Sequence, residues 1–173
     1  MKYANRSQLS KLAIITATLG FAATAQAATG VFEESIDASE AVTVEITTTA
    51  GDVVVQGADV GQVTVRGVIR VDDKVASRDP IRASNLIRSV RSTPPVEVVD
   101  GRLIVGELKR RTHQRHLQIS YVITVPSHLD VTARSISGDV RVSGVRGLVK
   151  ATSETGKVVR AEINDDAGDQ DRA

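Results

Sequence analysis

Apolar and polar residues alternate with a period of two along most of the chain after residue 28. Successive side chains of a β-strand point to opposite faces, so this alternation predicts strands with one buried face. The β-branched residues that fill the apolar positions suit such a surface. Gly67 falls on the apolar side of one run and predicts a weak point or bulge there. The clearest runs are 42–47, 63–71 and 117–125.

Turn residues separate these runs. Asp100-Gly101 lies between the apolar stretches 96–99 and 103–108, which is a strong pattern for a two-residue hairpin. Other Gly, Asp, Pro and Ser clusters mark further turns. They lie at 50–52, 126–127, 137–139 and 155–157.

One stretch has a helical rather than a β pattern. Between residues 74 and 91, apolar side chains recur at a spacing of three and four, and arginines occupy the other side. Pro80 suits the first turn of a helix, and Pro94-Pro95 would end it. The pattern predicts one short helix over about 81–91.

A ten-residue pattern, V-x-[IA]-x-[TS]-x-x-G-[DK]-V, occurs three times around Gly51, Gly138 and Gly156. The last two copies are 18 residues apart. A unit this short cannot bury its own apolar face, so the copies should stack on one another. The third copy departs from the others, with Lys157 in place of Asp and Arg160 where a second apolar residue is expected.

Residues 125–131 and 137–147 resemble the putative adhesin domain family, whose members follow V-P-x-x-x-x-V with several S-G-D-V-x-V-x-G-V-x-G units. Residues 48–57 resemble the entry copy of the same unit. The resemblance implies an exported bacterial β-solenoid-like domain of largely undefined role. We therefore predict an all-β fold, either a short β-solenoid or a stacked-strand array of Gly-Asp-Val coils.

The N-terminus has the three parts of a secretory signal. A basic region without acids precedes an apolar run over 12–23 and the small residues Ala25-Gln26-Ala27. That run is too short for a bilayer core, which needs about 20 residues. We expect a signal peptide over 1–27, cleaved between Ala27 and Ala28, and export to the periplasm, the cell surface or the medium.

Behind this signal we expect a single β domain over 28–163. The polar, acidic residues 164–173 have no periodicity and predict a disordered tail. Residues 1–27 hold three of the 22 basic residues and no acid, so the mature chain has 19 basic and 21 acidic residues, a formal charge of −2. This charge argues against nucleic acid as a partner. The chain has no Cys, so disulfides are excluded, and no later apolar run is long enough to span a membrane.

The strongest local charge is the segment 109–116. Lys109, Arg110, Arg111 and Arg115 are candidate anion-binding residues, for lipopolysaccharide or an acidic polysaccharide. The competing interpretation is a solvated basic loop that also protects a strand edge. The segment has no aromatic residues for base stacking.

Other candidate chemistry is sparse. His113 and His116, three apart, would point to opposite faces of a strand, so we predict no metal site and no cofactor. Asp52 and Asp139 follow turn glycines, and on stacked coils they could form an acid–base pair, although Asp is also common in turns. No catalytic residues are predicted.

These observations favour a non-enzymatic envelope or cell-surface protein that offers a rigid β surface to an envelope polysaccharide or another surface protein. Two alternatives stay open, a polysaccharide-active β-helix enzyme and an accessory protein that binds anionic polymer. The low aromatic content, 2%, counts against a carbohydrate-stacking groove.

Overall fold

The structure is a computed structural model that describes residues 28–41 and 43–161. Its elements are mostly strands, with a few short helices and a 3₁₀ turn at Ala38–Glu40. The strands are β1 (Thr29–Asp37), β2 (Thr43–Ala50), β3 (Val53–Ala58), β4 (Gln62–Val71), β5 (Val96–Val99), β6 (Arg102–Val105), β7 (Leu117–Pro126), β8 (Asp130–Ser137), β9 (Val140–Ser143), β10 (Val149–Ser153) and β11 (Val158–Ala161). The helices are α1 (Asp73–Arg78), α2 (Pro80–Ser92) and α3 (Arg111–His116).

The strands form two sheets. One has the order β1-β4-β7-β3-β9-β11, and the other has the order β10-β8-β2-β6-β5. The alternating apolar side chains of both sheets are buried together in one core, which gives a sandwich-like arrangement. Core residues such as Val44, Val55 and Val131 are almost completely shielded from solvent.

The prediction of a β-solenoid is wrong. In a solenoid each strand runs parallel to its equivalent one coil away, but here β4 pairs antiparallel with both β1 and β7, and β5 pairs antiparallel with β6. Both sheets are therefore mixed. Alternation shows which side chains are buried but not the direction of the neighbouring strand, so it could not separate these arrangements.

The repeat nevertheless corresponds to the register of the parallel strands. Val44 lies opposite Val131, and Val131 lies opposite Val149 in the neighbouring strand. In the other sheet Val53 lies opposite Val140, which lies opposite Val158. Equivalent positions of the three copies are thus direct neighbours.

The described residues form more helices than the one predicted. The helix predicted over 81–91 is present as α2, where Ala83, Leu86 and Val90 are buried. The expectation of a single helix is wrong, because α1 precedes α2 and α3 covers most of the basic segment 109–116, for which we had considered a solvated loop. Asp72 and Asp79 cap α1 and α2 by accepting backbone N–H groups, so α1 could have been inferred from its capping residue.

Two local predictions can be compared directly with the backbone. Asp100 and Gly101 form the β5–β6 hairpin turn, both with positive φ (50° and 73°), as a two-residue turn of this type requires. The bulge at Gly67 is absent, since β4 pairs without interruption on both sides. A Cβ at Gly67 would collide with the ring of Phe32, which packs edge-on against Tyr121 with 6.4 Å between ring centroids.

The signal peptide predicted over 1–27 and the tail predicted over 164–173 lie outside the described residues. The first described residue, Ala28, leads directly into β1, and its carbonyl accepts the Val71 N–H at 3.0 Å. Within the described part of the chain, no helix has the length and hydropathy needed to cross a membrane.

Candidate functional site

Asp52 and Asp139 lie next to each other, in the turns of the first and second repeat copies. Oδ1 of Asp52 accepts the backbone N–H of Asp139 at 2.9 Å, and Oδ1 of Asp139 accepts the N–H of Lys157 at 3.0 Å. Each carboxylate therefore caps the following turn of the stack. Because Lys157 replaces Asp in the third copy, the series of carboxylates ends there.

The electrostatics of Asp139 do not suit a catalytic acid. The hydrogen bond from the Lys157 N–H is the largest effect on the pKa of Asp139 and lowers it. Desolvation acts in the opposite direction, and the positive charges of Arg141 and Lys157 add to the lowering. Arg141 also forms an ion pair with Asp139 at 2.8 Å. A general acid near neutral pH needs a raised pKa, so this carboxylate is held in the opposite state.

A second series of contacts runs beside the carboxylates. The hydroxyl of Thr48 donates to the Ile119 carbonyl at 3.1 Å, that of Ser135 to the Gly51 carbonyl at 3.2 Å, and that of Ser153 to the Gly138 carbonyl at 2.7 Å. The [TS]-x-x-G part of the repeat is thus a structural ladder. Its hydroxyls are buried or partly buried donors rather than nucleophiles.

The basic segment folds around α3. Nζ of Lys109 donates to Glu97 on β5 at 2.8 Å, and Glu97 raises the pKa of Lys109 through this hydrogen bond and its charge. Nε2 of Gln114 donates to the Leu108 carbonyl at 2.6 Å and fixes α3 against the preceding loop. Across the described ranges, Arg110, Arg111 and Arg115 have no carboxylate oxygen within 4.0 Å.

The structure adds other basic residues that we did not associate with this segment. A depression of about 420 Å³ lies where the three helices meet, and both α1 and α2 bring basic side chains to Arg115 of α3. A helical pattern in 74–91 showed the arginine stripe, but nothing in the sequence placed that stripe beside 109–116. The basic residues that line the depression are Lys74, Arg78, Arg82 and Arg115.

Positive charge is consequently concentrated in the helical layer, which we define as residues 72–92 and 107–116. This layer holds nine basic and four acidic residues, although the whole chain is nearly neutral with 22 and 21. Two of the four acids, Asp72 and Asp79, are engaged in capping backbone N–H groups. The layer therefore presents a positive surface to solvent.

His113 and His116 lie on α3, not on a strand as expected, so a spacing of three places them on neighbouring positions of a helix. Burial and the charge of Arg110 lower the pKa of His113. No group of three or more His, Asp or Glu residues that could hold a metal is found among residues 28–41 and 43–161.

Comparisons with known proteins give distant structural likenesses. No family model matches the chain, and no curated protein does. A putative cell adhesion protein from Clostridium sporogenes aligns at TM-score 0.39 and 9% identity over 76% of this chain and 58% of that protein. A putative adhesin from Bacteroides fragilis aligns at 0.41 and 15%, over 77% and 54%. A putative adhesin from Parabacteroides distasonis aligns at 0.34 and 16%, over 72% and 46%.

These neighbours bear names of the kind that the sequence resemblance implied. The chain spans between about half and three-fifths of their length. Their identities and TM-scores do not assign the chain to a family, so membership in the putative adhesin family remains an expectation from the sequence motifs.

Proposed function

We propose that this chain is a non-enzymatic exported protein of the cell envelope or surface, adhesin-like, that binds an anionic polymer through its helical layer. The polymer would be lipopolysaccharide or an acidic polysaccharide. The observation that carries the proposal is the separation of charge, with nine basic and four acidic residues in the helical layer of a nearly neutral chain.

The geometry supports a polymer rather than a single small anion. The exposed arginines of α3 and the basic side chains around the three-helix depression extend over several elements, so successive charges of a polymer could each meet a cation. Such contacts need no specific base or sugar recognition and weaken as salt screens them. The sandwich supplies a folded support from which the helices project.

The carboxylates argue for a binding protein over a polysaccharide-active enzyme. Asp52 and Asp139 are close, which a catalytic pair would need, but each accepts the backbone N–H of the next turn. Removing either group from this role would leave a turn amide without its partner. The pair is therefore better explained as part of the stack.

The test is retention on a column of immobilised alginate or dextran sulfate at about 0.1 M salt, where the Debye length is about 10 Å. The triple variant Arg110→Gln, Arg111→Gln, Arg115→Gln should elute at markedly lower salt than the wild type. A control with the same change in charge replaces Arg66, Arg134 and Arg141, which lie on strands outside the helical layer. That control should elute close to the wild type.

Two results would contradict the proposal. In one, the wild type passes through the column of anionic polymer without retention. In the other, the α3 triple variant and the strand triple variant lose retention equally, which would mean that net charge alone decides binding. Circular dichroism of all three proteins confirms that the comparison is made between folded chains.

A further inference from the structure

A cleft of about 400 Å³ opens beside the basic segment, and the anion-binding proposal does not use it. Its walls are the C-terminal end of α2, the β5–β6 hairpin and the residues that lead into α3. This volume is in the range of small-ligand sites, about 300–1,000 Å³. The cleft therefore has the size of a binding site for one small molecule or one short chain.

The floor of this cleft is apolar for a reason visible in β6. Leu103 and Val105 face the core and are fully buried, so Ile104 between them points to the outer side of the sheet. A polar residue is the usual choice at such a position. Ile104 and Leu108 are instead only half-buried, which leaves apolar surface available. The other apolar lining residues are Val90, Pro94, Pro95 and Val96.

The cleft continues along α2 into a second depression of about 390 Å³, whose mixed lining includes the apolar Ile81 and Leu86 and the arginines Arg82 and Arg110. Ser89, Arg110 and His113 line both spaces, so Arg110 stands at the junction. Arg82 lies seven residues before Ser89 on the same face of α2 and lines the second depression. The groove thus combines an apolar floor at Ile104 and Leu108 with two arginines further along it, Arg110 and Arg82.

The acidic residues around the groove do not neutralise all of its basic residues. Glu97 already pairs with Lys109, and Oδ1 of Asp79 accepts the Arg82 N–H at 2.9 Å. Glu107 also lines the apolar cleft, but no ion pair joins it to Arg110 in the described residues. Arg110 is therefore the cation at the junction that has no carboxylate partner within that part of the chain.

We propose that the groove binds a single-chain anionic amphiphile, with its alkyl chain in the cleft against Ile104 and Leu108 and its anionic group at Arg110 and Arg82. The presence of an apolar floor and two arginines within one groove matches a ligand that has both parts. An anionic polysaccharide lacks an alkyl chain for the cleft. A second copy of this chain would bring a second basic rim against the first, which like-charge repulsion disfavours.

The carboxylate of a fatty acid and the phosphate of a lysophospholipid share this chemistry. Isothermal titration calorimetry of the full chain should therefore use laurate and lauroyl lysophosphatidate, each below its critical micelle concentration. Dodecyltrimethylammonium, with the same alkyl chain and the opposite charge, is the ligand control. Both anions should bind with one-to-one stoichiometry if the site recognises charge in general, and only one should bind if it recognises a particular headgroup.

Arg110→Gln should weaken binding of the anion about tenfold, because a charge-assisted hydrogen bond is lost. Arg111→Gln is the matched control. It removes the same charge from the neighbouring residue, but the Arg111 side chain lines neither the cleft nor the second depression. Leu108→Asp, in the segment between β6 and α3, should weaken binding at least as much by placing a carboxylate in the apolar floor. Circular dichroism checks that each variant is folded.

The proposal is overturned if neither anion binds, if the cationic amphiphile binds equally well, or if Arg110→Gln and Arg111→Gln behave alike. This proposal and the polymer-binding proposal are tested by different measurements, amphiphile binding and retention on a polymer column. A wild type that binds laurate but is not retained on the polymer column would reject the polymer-binding proposal alone, and a wild type that is retained but binds neither anion would reject only the amphiphile proposal.

Discussion

At the scale of single residues, the repeat is explained by hydrogen bonds that cross from one copy to the next. Ser135 is fully buried, and its hydroxyl donates to the Gly51 carbonyl at 3.2 Å. A buried hydroxyl needs a partner, and here the partner is the backbone of the neighbouring turn. The small side chain also leaves the room that the close approach of the two turns requires.

Ser135→Ala should therefore lower the free energy of unfolding by about 1 kcal/mol, because the Gly51 carbonyl loses a donor that water cannot replace. Urea denaturation measures this change. Ser143→Ala is the control, since the Ser143 hydroxyl on β9 makes no hydrogen bond with the described residues and its loss should cost less than about 0.5 kcal/mol. Equal effects of the two substitutions would show that the ladder contributes nothing.

Asp139 makes the same stack sensitive to pH. Its pKa in the folded protein is lowered, first by the Lys157 N–H. A carboxyl group with a lower pKa in the folded than in the unfolded state stabilises the fold above the unfolded value of about 3.9, and this contribution is lost as pH falls through the folded pKa. The wild type should thus lose stability below about pH 4.

Asp139→Asn should reduce this acid sensitivity, because an uncharged side chain has no proton to gain. The measurement is the free energy of unfolding in urea between about pH 7 and about pH 3. Asp59→Asn removes a carboxylate that accepts no hydrogen bond from the described residues and is the control. A steep acid dependence that persists unchanged in Asp139→Asn would contradict the assignment.

At the scale of elements, the glycines of the turn stack allow the strands to follow one another closely. Gly138 has φ +144°, and a Cβ there would collide with the Gly51 carbonyl. Both facts require glycine, because φ in this region is unfavourable for other residues and the neighbouring backbone cannot move away cheaply.

Gly138→Ala should destabilise the protein by about 2 kcal/mol or more, from backbone strain together with displacement of the neighbouring turn. Thermal or urea unfolding gives the value. Gly61→Ala is the matched control, since no atom lies within 4 Å of its added Cβ. Its effect should stay within about 0.5 kcal/mol. A Gly138 variant as stable as the Gly61 variant would mean that the turns are not in contact.

The elements also show how far the sequence alone determines this fold. Alternation located β4 and β7, and the repeat spacing corresponds to the registers of β2, β8 and β10. The sequence did not reveal that β4 runs antiparallel between β1 and β7, because apolar and polar residues alternate in the same way in parallel and antiparallel strands. A helix was found in 81–91, whereas the six-residue α3 was missed because its basic sequence has no apolar stripe.

For the candidate sites, too, the sequence predicted some features and missed others. The charge of Arg110, Arg111 and Arg115 was evident from the sequence, but the cleft beside Arg110 is formed by α2 and the β5–β6 hairpin, which are remote from it along the chain. The proximity of Asp52 and Asp139 likewise depended on the stacking of two turns 87 residues apart. Tertiary proximity of this kind leaves no local pattern in the sequence.

At the scale of the whole molecule, charge and strand edges divide the sandwich into two ends. At one end α2 packs across β1 and β4, and the helical layer concentrates basic residues. At the other end β10 and β11 are the last strands of their sheets in the described part of the chain. An unpaired strand edge can pair with another chain, and natural proteins often prevent this with an inward-pointing charge.

We infer that Arg160 has this role on β11. It lies opposite Val142, whose side chain is buried, and therefore occupies an inward-facing position where the repeat expects an apolar residue. Its guanidinium instead donates to the Ala151 carbonyl at 3.2 Å and keeps a charge beside the outer strands. Arg160→Val would complete the apolar pattern of this strand and remove that charge.

We therefore expect Arg160→Val to associate more strongly than the wild type, with a mean mass in size-exclusion chromatography with light scattering that rises with protein concentration. Arg66→Val is the control, because it adds the same exposed apolar side chain on β4, a strand paired on both sides. Association of the Arg160 variant alone would locate the protection at the β11 edge. Association of both variants would attribute it to surface hydrophobicity, and association of neither would show that the charge of Arg160 is not needed at that edge.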